Sequence, residues 1–167
     1  NLLGPSQFVN ILHDFGLNNP DIDKNTSPVL CLGPCEASVG EMASAYTTFA
    51  NGGIRCAPLF VTKIEDSHGN VIAKFQPLMT EVISEVSSYQ MIDMLRAVIQ
   101  GGTGSRLRYA YHLTADMGGK TGTTNNNADG WFMGITPNLV SGCWVGGEDR
   151  DIHFDHTSMG QGATMAL

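Results

Sequence analysis

Apolar residues recur every three or four positions in three segments, the spacing that places them on one face of an α-helix. The first follows Gly4-Pro5-Ser6, with Phe8, Ile11, Leu12 and Phe15 in register and Gly16 as the stop. The second opens on Ser38-Val39-Gly40-Glu41, a capping-box pattern in which serine and glutamate side chains satisfy free backbone donors. Its apolar face is Val39, Met42, Ala43, Tyr46, Phe49 and Ala50, and Asn51-Gly52-Gly53 ends it where left-handed backbone is needed. The third begins near Ser84, with Val86, Tyr89, Ile92, Leu95 and Ile99 repeating before the terminator Gly101-Gly102.

Five shorter segments read as strands. Leu59–Asp66 and Val71–Phe75 flank the turn-rich Ser67-His68-Gly69-Asn70 and so predict a hairpin. Met117–Thr121 leads into Gly122, and Trp131–Thr136 and Leu139–Val145 sit either side of Pro137-Asn138, a second hairpin signal. The order helix, helix, hairpin, helix, then three strands predicts an α+β (mixed α/β) fold, a five-stranded antiparallel sheet with flanking helices. No internal repeat or linker divides residues 1–167.

Composition narrows the function classes. The chain has 167 residues, 42% of them hydrophobic, enough for one domain with a real core. No apolar run approaches the ~18 residues of a membrane span. With a net charge of −7 and nine Lys plus Arg, all scattered, a phosphate-tracking surface is excluded, and with it nucleic-acid binding. An acidic surface does not attract an anionic substrate either, so a local cation such as Lys120 matters. Asn1-Leu2-Leu3-Gly4-Pro5 has neither an initiator Met nor signal-peptide character, and Thr164-Met165-Ala166-Leu167 has no polar tail. Both ends read as cuts in a longer protein.

The cysteines Cys31, Cys35, Cys56 and Cys143 lack zinc-finger spacing. They read as free, mostly buried thiols, with a Cys31–Cys35 disulfide as the alternative. His153, Asp155 and His156 invite a metal reading, but no fourth partner stands at regular spacing and a solvated loop is the better reading. His13, His68 and His112 stand alone. Neither a metal nor a cofactor is expected.

The most informative stretch is Gly118-Gly119-Lys120-Thr121-Gly122-Thr123-Thr124-Asn125-Asn126-Asn127-Ala128-Asp129-Gly130-Trp131. A strand carries a lysine, a hydroxyl, then a glycine where a ligand backbone approaches closely. A second hydroxyl and its backbone N–H follow. Such an edge offers a cation, alcohol donors and a main-chain donor to an extended peptide with a free carboxylate. Chance alone yields this Lys-Thr-Gly tripeptide in roughly one chain in thirty of this length. A P-loop is ruled out, because Thr114 stands where the first glycine is required. The three asparagines read as a turn, with lining of the cleft by Thr124 and Asn125 a secondary expectation. Trp131 and Trp144 read as sheet-packing residues.

Lys120-Thr121-Gly122 resembles the third signature of penicillin-binding proteins and serine β-lactamases, defined by Ser-x-x-Lys, Ser-x-Asn and Lys-Thr-Gly. The surroundings narrow the resemblance to class A (bifunctional) enzymes. Glu36 to Tyr46 and Phe49-Ala50-Asn51-Gly52-Gly53 resemble the helix after their second motif. Gly101-Gly102-Thr103-Gly104 resembles the segment before the third, and Lys120 to Pro137 and Trp144-Val145-Gly146 resemble the sheet strands. The departure is equally clear. Lys24, Lys63, Lys74 and Lys120 are preceded at the required spacing by Asp21, Phe60, Val71 and Met117, and no Ser-x-Asn occurs. The nucleophilic serine is therefore expected upstream of Asn1, in a partial transpeptidase domain inactive by itself.

The resemblance implies a peptidoglycan D,D-transpeptidase that acts through a serine acyl-enzyme and binds β-lactams. Lys120 is the expected catalytic cation. Thr121, Gly122 and Thr123 are the expected substrate-binding residues, with the N–H of Thr123 as an oxyanion donor. Expected partners are the stem peptide, β-lactams and the upstream part of the same polypeptide, on the periplasmic side of a membrane to which the parent is anchored. A D-alanine carboxypeptidase or β-lactamase, or a non-catalytic β-lactam or peptide sensor, is the alternative. Loss of the family's central helix is expected to leave apolar surface open, so that the isolated chain self-associates.

Overall fold

The computed structural model describes residues 4–24, 27–154 and 161–167. Three long helices appear where the apolar periodicity placed them: α1 (Pro5–Asp14), α3 (Val39–Ala50) and α4 (Glu85–Gln100). Short helices α2 (Pro20–Lys24), α5 (Arg106–Tyr109) and α6 (Gln161–Ala166) lie between and after them. The capping box of α3 forms: Glu41 N–H donates to Ser38 Oγ at 3.1 Å and Ser38 N–H to Glu41 Oε2 at 2.8 Å. The Ser38 N–H and the Ser38 hydroxyl, which donates to Glu41 Oε2 at 2.8 Å, hold the Glu41 carboxyl below its ordinary pKa. Ser84 caps α4 by accepting from Ser87 N–H at 3.1 Å, a contribution of about 1 kcal/mol.

The strands pair antiparallel throughout, but in three sheets rather than one. Strands β5 (Gly118–Thr123), β6 (Asp129–Thr136) and β7 (Leu139–Gly146) form the main sheet in that order. A hairpin of β2 (Lys63–Glu65) and β3 (Val71–Lys74) pairs only with itself, and β1 (Ile54–Cys56) pairs with β4 (Met79–Glu81). The expected five-stranded sheet is thus a three-stranded sheet with a detached hairpin. The strand expected over Leu59–Asp66 shortens to three residues, and β2 has no second strand partner among the described residues.

The core lies between the main sheet and the helices. Leu95 and Ile99 of α4, Ala45 of α3, and Met133 and Ile135 of β6 are buried. The buried Ser88 hydroxyl donates to the Phe49 carbonyl at 2.8 Å and so joins α4 to the last turn of α3. The expected apolar face of α4 is displaced: Val86 and Tyr89 are exposed, and Ser88, Leu95 and Ile99 point inward. Polar Ser88 is legible as a core residue only from the acceptor it meets. α1 packs through Phe15, whose ring centroid lies 5.4 Å from that of Phe49. His13 Nε2 meets Asp23 Oδ1 at 2.7 Å, tying α1 to α2.

Gly118 sets the spacing between helix and sheet. A Cβ there would sit 2.9 Å from Leu95 Cβ, so α4 rests directly on the backbone of β5. The cysteines correct a further expectation. All four are free thiols, but Cys31 and Cys143 are exposed and Cys35 and Cys56 half-buried. Small apolar side chains are not drawn inside when their elements, here a short 3-10 turn over Pro28–Leu32 and the outer strand β7, have an open face.

Candidate active site

The Lys-Thr-Gly strand is an edge strand. β5 pairs with β6 on one side, Lys120 opposite Met133, Thr121 opposite Phe132 and Thr123 opposite Gly130, and has no strand partner on the other among the described residues. In an antiparallel ladder, residues alternate between exchanging both backbone hydrogen bonds with the partner and turning them away. The Thr124 N–H donates to the Asp129 carbonyl at 3.2 Å, which fixes the parity. Gly122 and Lys120 therefore bond to β6, and Thr121 and Thr123 turn N–H and C=O to the open edge.

The side chains follow from the same geometry. Lys120 is exposed, and its ammonium donates to the outward Thr121 carbonyl at 2.6 Å. The hydroxyls of Thr121 and Thr103 lie 2.6 Å apart. Thr123 is exposed, and its hydroxyl has no partner among the described residues. Gly122 is held against Trp131, where a Cβ would lie 3.1 Å from Trp131 Cβ. One short edge thus gathers an ammonium, two alcohols and two outward amides. Such a set has the chemistry to neutralise a carboxylate and to donate to a carbonyl oxygen, and among the described residues it holds no nucleophile with an adjacent base.

The turn after β5 is braced from behind. Asn126 and Asn127 adopt positive φ of 61° and 55°, conformations that asparagine accepts more readily than other side chains. Thr124 Oγ1 donates to Asp129 Oδ2 at 2.9 Å and accepts from Asp129 N–H at 2.9 Å. Trp144 Nε1 donates to Asp129 Oδ1 at 2.8 Å. Thr124 therefore spends its hydroxyl on the turn, and its direct role in a cleft recedes. Asn125 is exposed at the turn. The Thr103 and Asp129 contacts were not anticipated; only the proximity of Gly101-Gly102-Thr103-Gly104 to the third motif in the family pattern hinted at the first.

At the opposite end of β5, Arg96 of α4 holds Asp116 through two contacts, Nε to Oδ1 at 3.0 Å and Nη2 to Oδ2. The Asp116 carboxylate raises the Arg96 pKa further. A groove of about 200 Å³ opens beside this pair, lined by Tyr89, Ile92, Ile135 and Pro137 among others. Lys120, Thr121 and Thr123 are not part of it. Of the metal reading, Asp155 and His156 lie outside the described residues, and His153 Nδ1 is 3.0 Å from the Phe154 carbonyl.

The helix-backed antiparallel sheet with Lys-Thr-Gly on its open edge matches one known class, the transpeptidase domains. The model of the penicillin binding protein transpeptidase domain family matches residues 1–141, and the chain belongs to that family. Within it, the chain is a partial domain of the class A type. It is 40% identical over 117 residues to penicillin-binding protein 1A of Aquifex aeolicus, covering 70% of this chain and 16% of that protein. It is 34% identical over 133 residues to penicillin-binding protein 1A of Clostridium novyi, covering 78% of this chain and 15% of that one. The crystal structure of penicillin-binding protein 1A from Haemophilus influenzae superposes with a TM-score of 0.83 at 25% identity, over 96% of this chain and 29% of that one. The chain therefore spans about a sixth of the length of these curated relatives. Among the described residues no helix is long and apolar enough to cross a membrane.

Proposed function

We propose that this chain forms the carboxylate-binding wall of a peptidoglycan D,D-transpeptidase whose nucleophilic serine lies elsewhere in the full protein. The observation that carries the reading is the open β5 edge, with Lys120, the alcohols of Thr121 and Thr123, and the outward amides in one row. The serine oxygen attacks the carbonyl between the last two D-alanines, and the terminal D-alanine leaves with a proton. An amine of a neighbouring strand then displaces the serine and forms the cross-link, so that one hard acyl transfer becomes two easier ones.

Each group on the edge has a place in that sequence. Lys120 supplies positive potential where the terminal carboxylate docks. The hydroxyls of Thr121 and Thr123 donate to that carboxylate. The N–H of Thr123 donates to the developing oxyanion, a contact of the kind typically worth about 3 kcal/mol. A β-lactam carries the same carboxylate and a strained carbonyl and takes the same row. The site operates on the periplasmic side of the membrane, anchored by a segment outside this chain.

A fluorescent penicillin tests the reading. The full-length protein is expected to become covalently labelled and the isolated chain to remain unlabelled. An unlabelled full-length protein, or a covalently labelled isolated chain, overturns it. The isolated chain also carries Phe60 and Leu32 at 94% and 85% exposure, which supports its self-association. Sedimentation at high micromolar concentration tests this, and a strictly monomeric species contradicts it.

A further inference from the structure

Thr103 lies outside the Lys-Thr-Gly row, on the turn that follows α4, yet its hydroxyl stands 2.6 Å from that of Thr121. The turn leaves it little freedom. Gly102 N–H donates to the Ala97 carbonyl at 3.2 Å, Gly104 N–H to Val98 at 3.0 Å, and Leu107 N–H to Gly104 at 3.1 Å. A Cβ on Gly102 would lie 2.8 Å from Val98 Cα, and one on Gly104 would lie 2.7 Å from Ile99 Cδ1. The turn is thus pressed between the buried Ile99 of α4 and the buried Leu107 of α5. Thr103 is aimed at β5 by the packed part of the fold.

We propose that Thr103 is a positioning residue that sets the hydrogen-bond direction of the Thr121 hydroxyl. A carboxylate only accepts hydrogen bonds, so Thr121 can serve it only with its own proton. That proton is free only if the 2.6 Å contact runs the other way, with Thr103 donating and Thr121 Oγ1 accepting. The resulting chain, Thr103 to Thr121 to carboxylate, is polarised along its length, and each bond strengthens the next. Without Thr103, the Thr121 hydroxyl rotates freely and must be ordered at the moment of binding. This inference rests on the proposed carboxylate-binding role of the β5 edge.

The test uses the full-length protein and acylation by a penicillin and by its methyl ester, which lacks the carboxylate charge. Thr103→Val is expected to slow acylation by the free acid about tenfold and to leave the slow reaction of the ester unchanged. Thr103→Ser is expected to restore the rate, and Thr103→Val in a Thr121→Val background to have no further effect. Thermal melting of each variant separates misfolding from the loss of one hydroxyl. An unchanged rate in Thr103→Val, equal slowing of acid and ester, or additivity with Thr121→Val overturns the inference while leaving the transpeptidase reading intact. A wild-type protein that no penicillin acylates overturns both.

Discussion

The main sheet and the β2–β3 hairpin are built from the same kind of antiparallel pairing, yet they differ in what stands on either side. Met133 of β6, a strand that packs against α3, is 2% exposed, whereas Ile72 of β3 is 68% exposed. The sheet is sandwiched: Gly118 meets Leu95 of α4 on one face, and Gly130 meets Gly162 of α6 on the other. The hairpin has neither a cover nor a second neighbour among the described strands. Two strands without a covered face are marginal in water. The Lys-Thr-Gly row sits on the sandwiched element, where backbone position is fixed by contact rather than by propensity.

Changes at the two regions should therefore differ in size. The largest effect is expected at Gly118, where valine would drive a branched side chain into Leu95 and Arg96. Overpacking of this kind costs about 1–3 kcal/mol or more. In the full-length protein Gly118→Val should lower the melting temperature and abolish penicillin labelling together. Retention of both would mean that α4 yields easily and that the sheet is no stiffer than the hairpin.

Removing the buried Ser88 hydroxyl comes next. Ser88→Ala leaves the Phe49 carbonyl without this donor, and a loss of about 1–2 kcal/mol is expected in denaturant unfolding. On the hairpin, Ile72→Thr keeps a β-branched side chain on an exposed position and should fall within about 0.5 kcal/mol of wild type. A larger loss would show that this face is covered in the full protein.

Acid distinguishes the two regions by a smaller and local effect. Asp66 accepts from the Asn70 side chain and from the N–H groups of Asn70 and His68, each at 2.8 Å. Those bonds, Asn70 first, hold its carboxyl below the ordinary value of 3.8. A depressed folded pKa means that the contribution is present above 3.8 and lost as pH falls through the folded value. Glu41 at the α3 cap behaves alike, from 4.5 downward. On lowering the pH through this range, amides of residues 63–74 should lose exchange protection before those of β6. Simultaneous loss would make the two regions one cooperative unit.

Legibility in the sequence followed a different divide, between local and long-range chemistry. The capping box at Ser38, the Ser84 start of α4, both hairpins and the Lys-Thr-Gly strand are set by local chemistry and could be read directly. β1 and β4 could not, because three residues carry no period and their pairing joins Ile54 to Glu81 across the chain. The exposure of Val86 and Tyr89 leaves no mark in the periodicity, because α4 carries an apolar stripe that its described neighbours do not cover. The Lys-Thr-Gly motif singles out Lys120, Thr121 and Thr123, and they lie along one open strand edge. Thr103 and Asp129 are not singled out, since a side chain reaching 18 residues along the chain leaves no pattern in it.

The parity of β5 has an evolutionary corollary. Alcohols and an ammonium can be exchanged codon by codon, so selection under a drug can retune or remove them singly. The outward amides of Thr121 and Thr123 belong to the main chain, and among the standard residues only proline deletes such a donor. Short of proline at those positions, escape from a ligand that leans on those amides proceeds by shifting the strand itself, and the glycine contacts behind β5 leave little room to shift it.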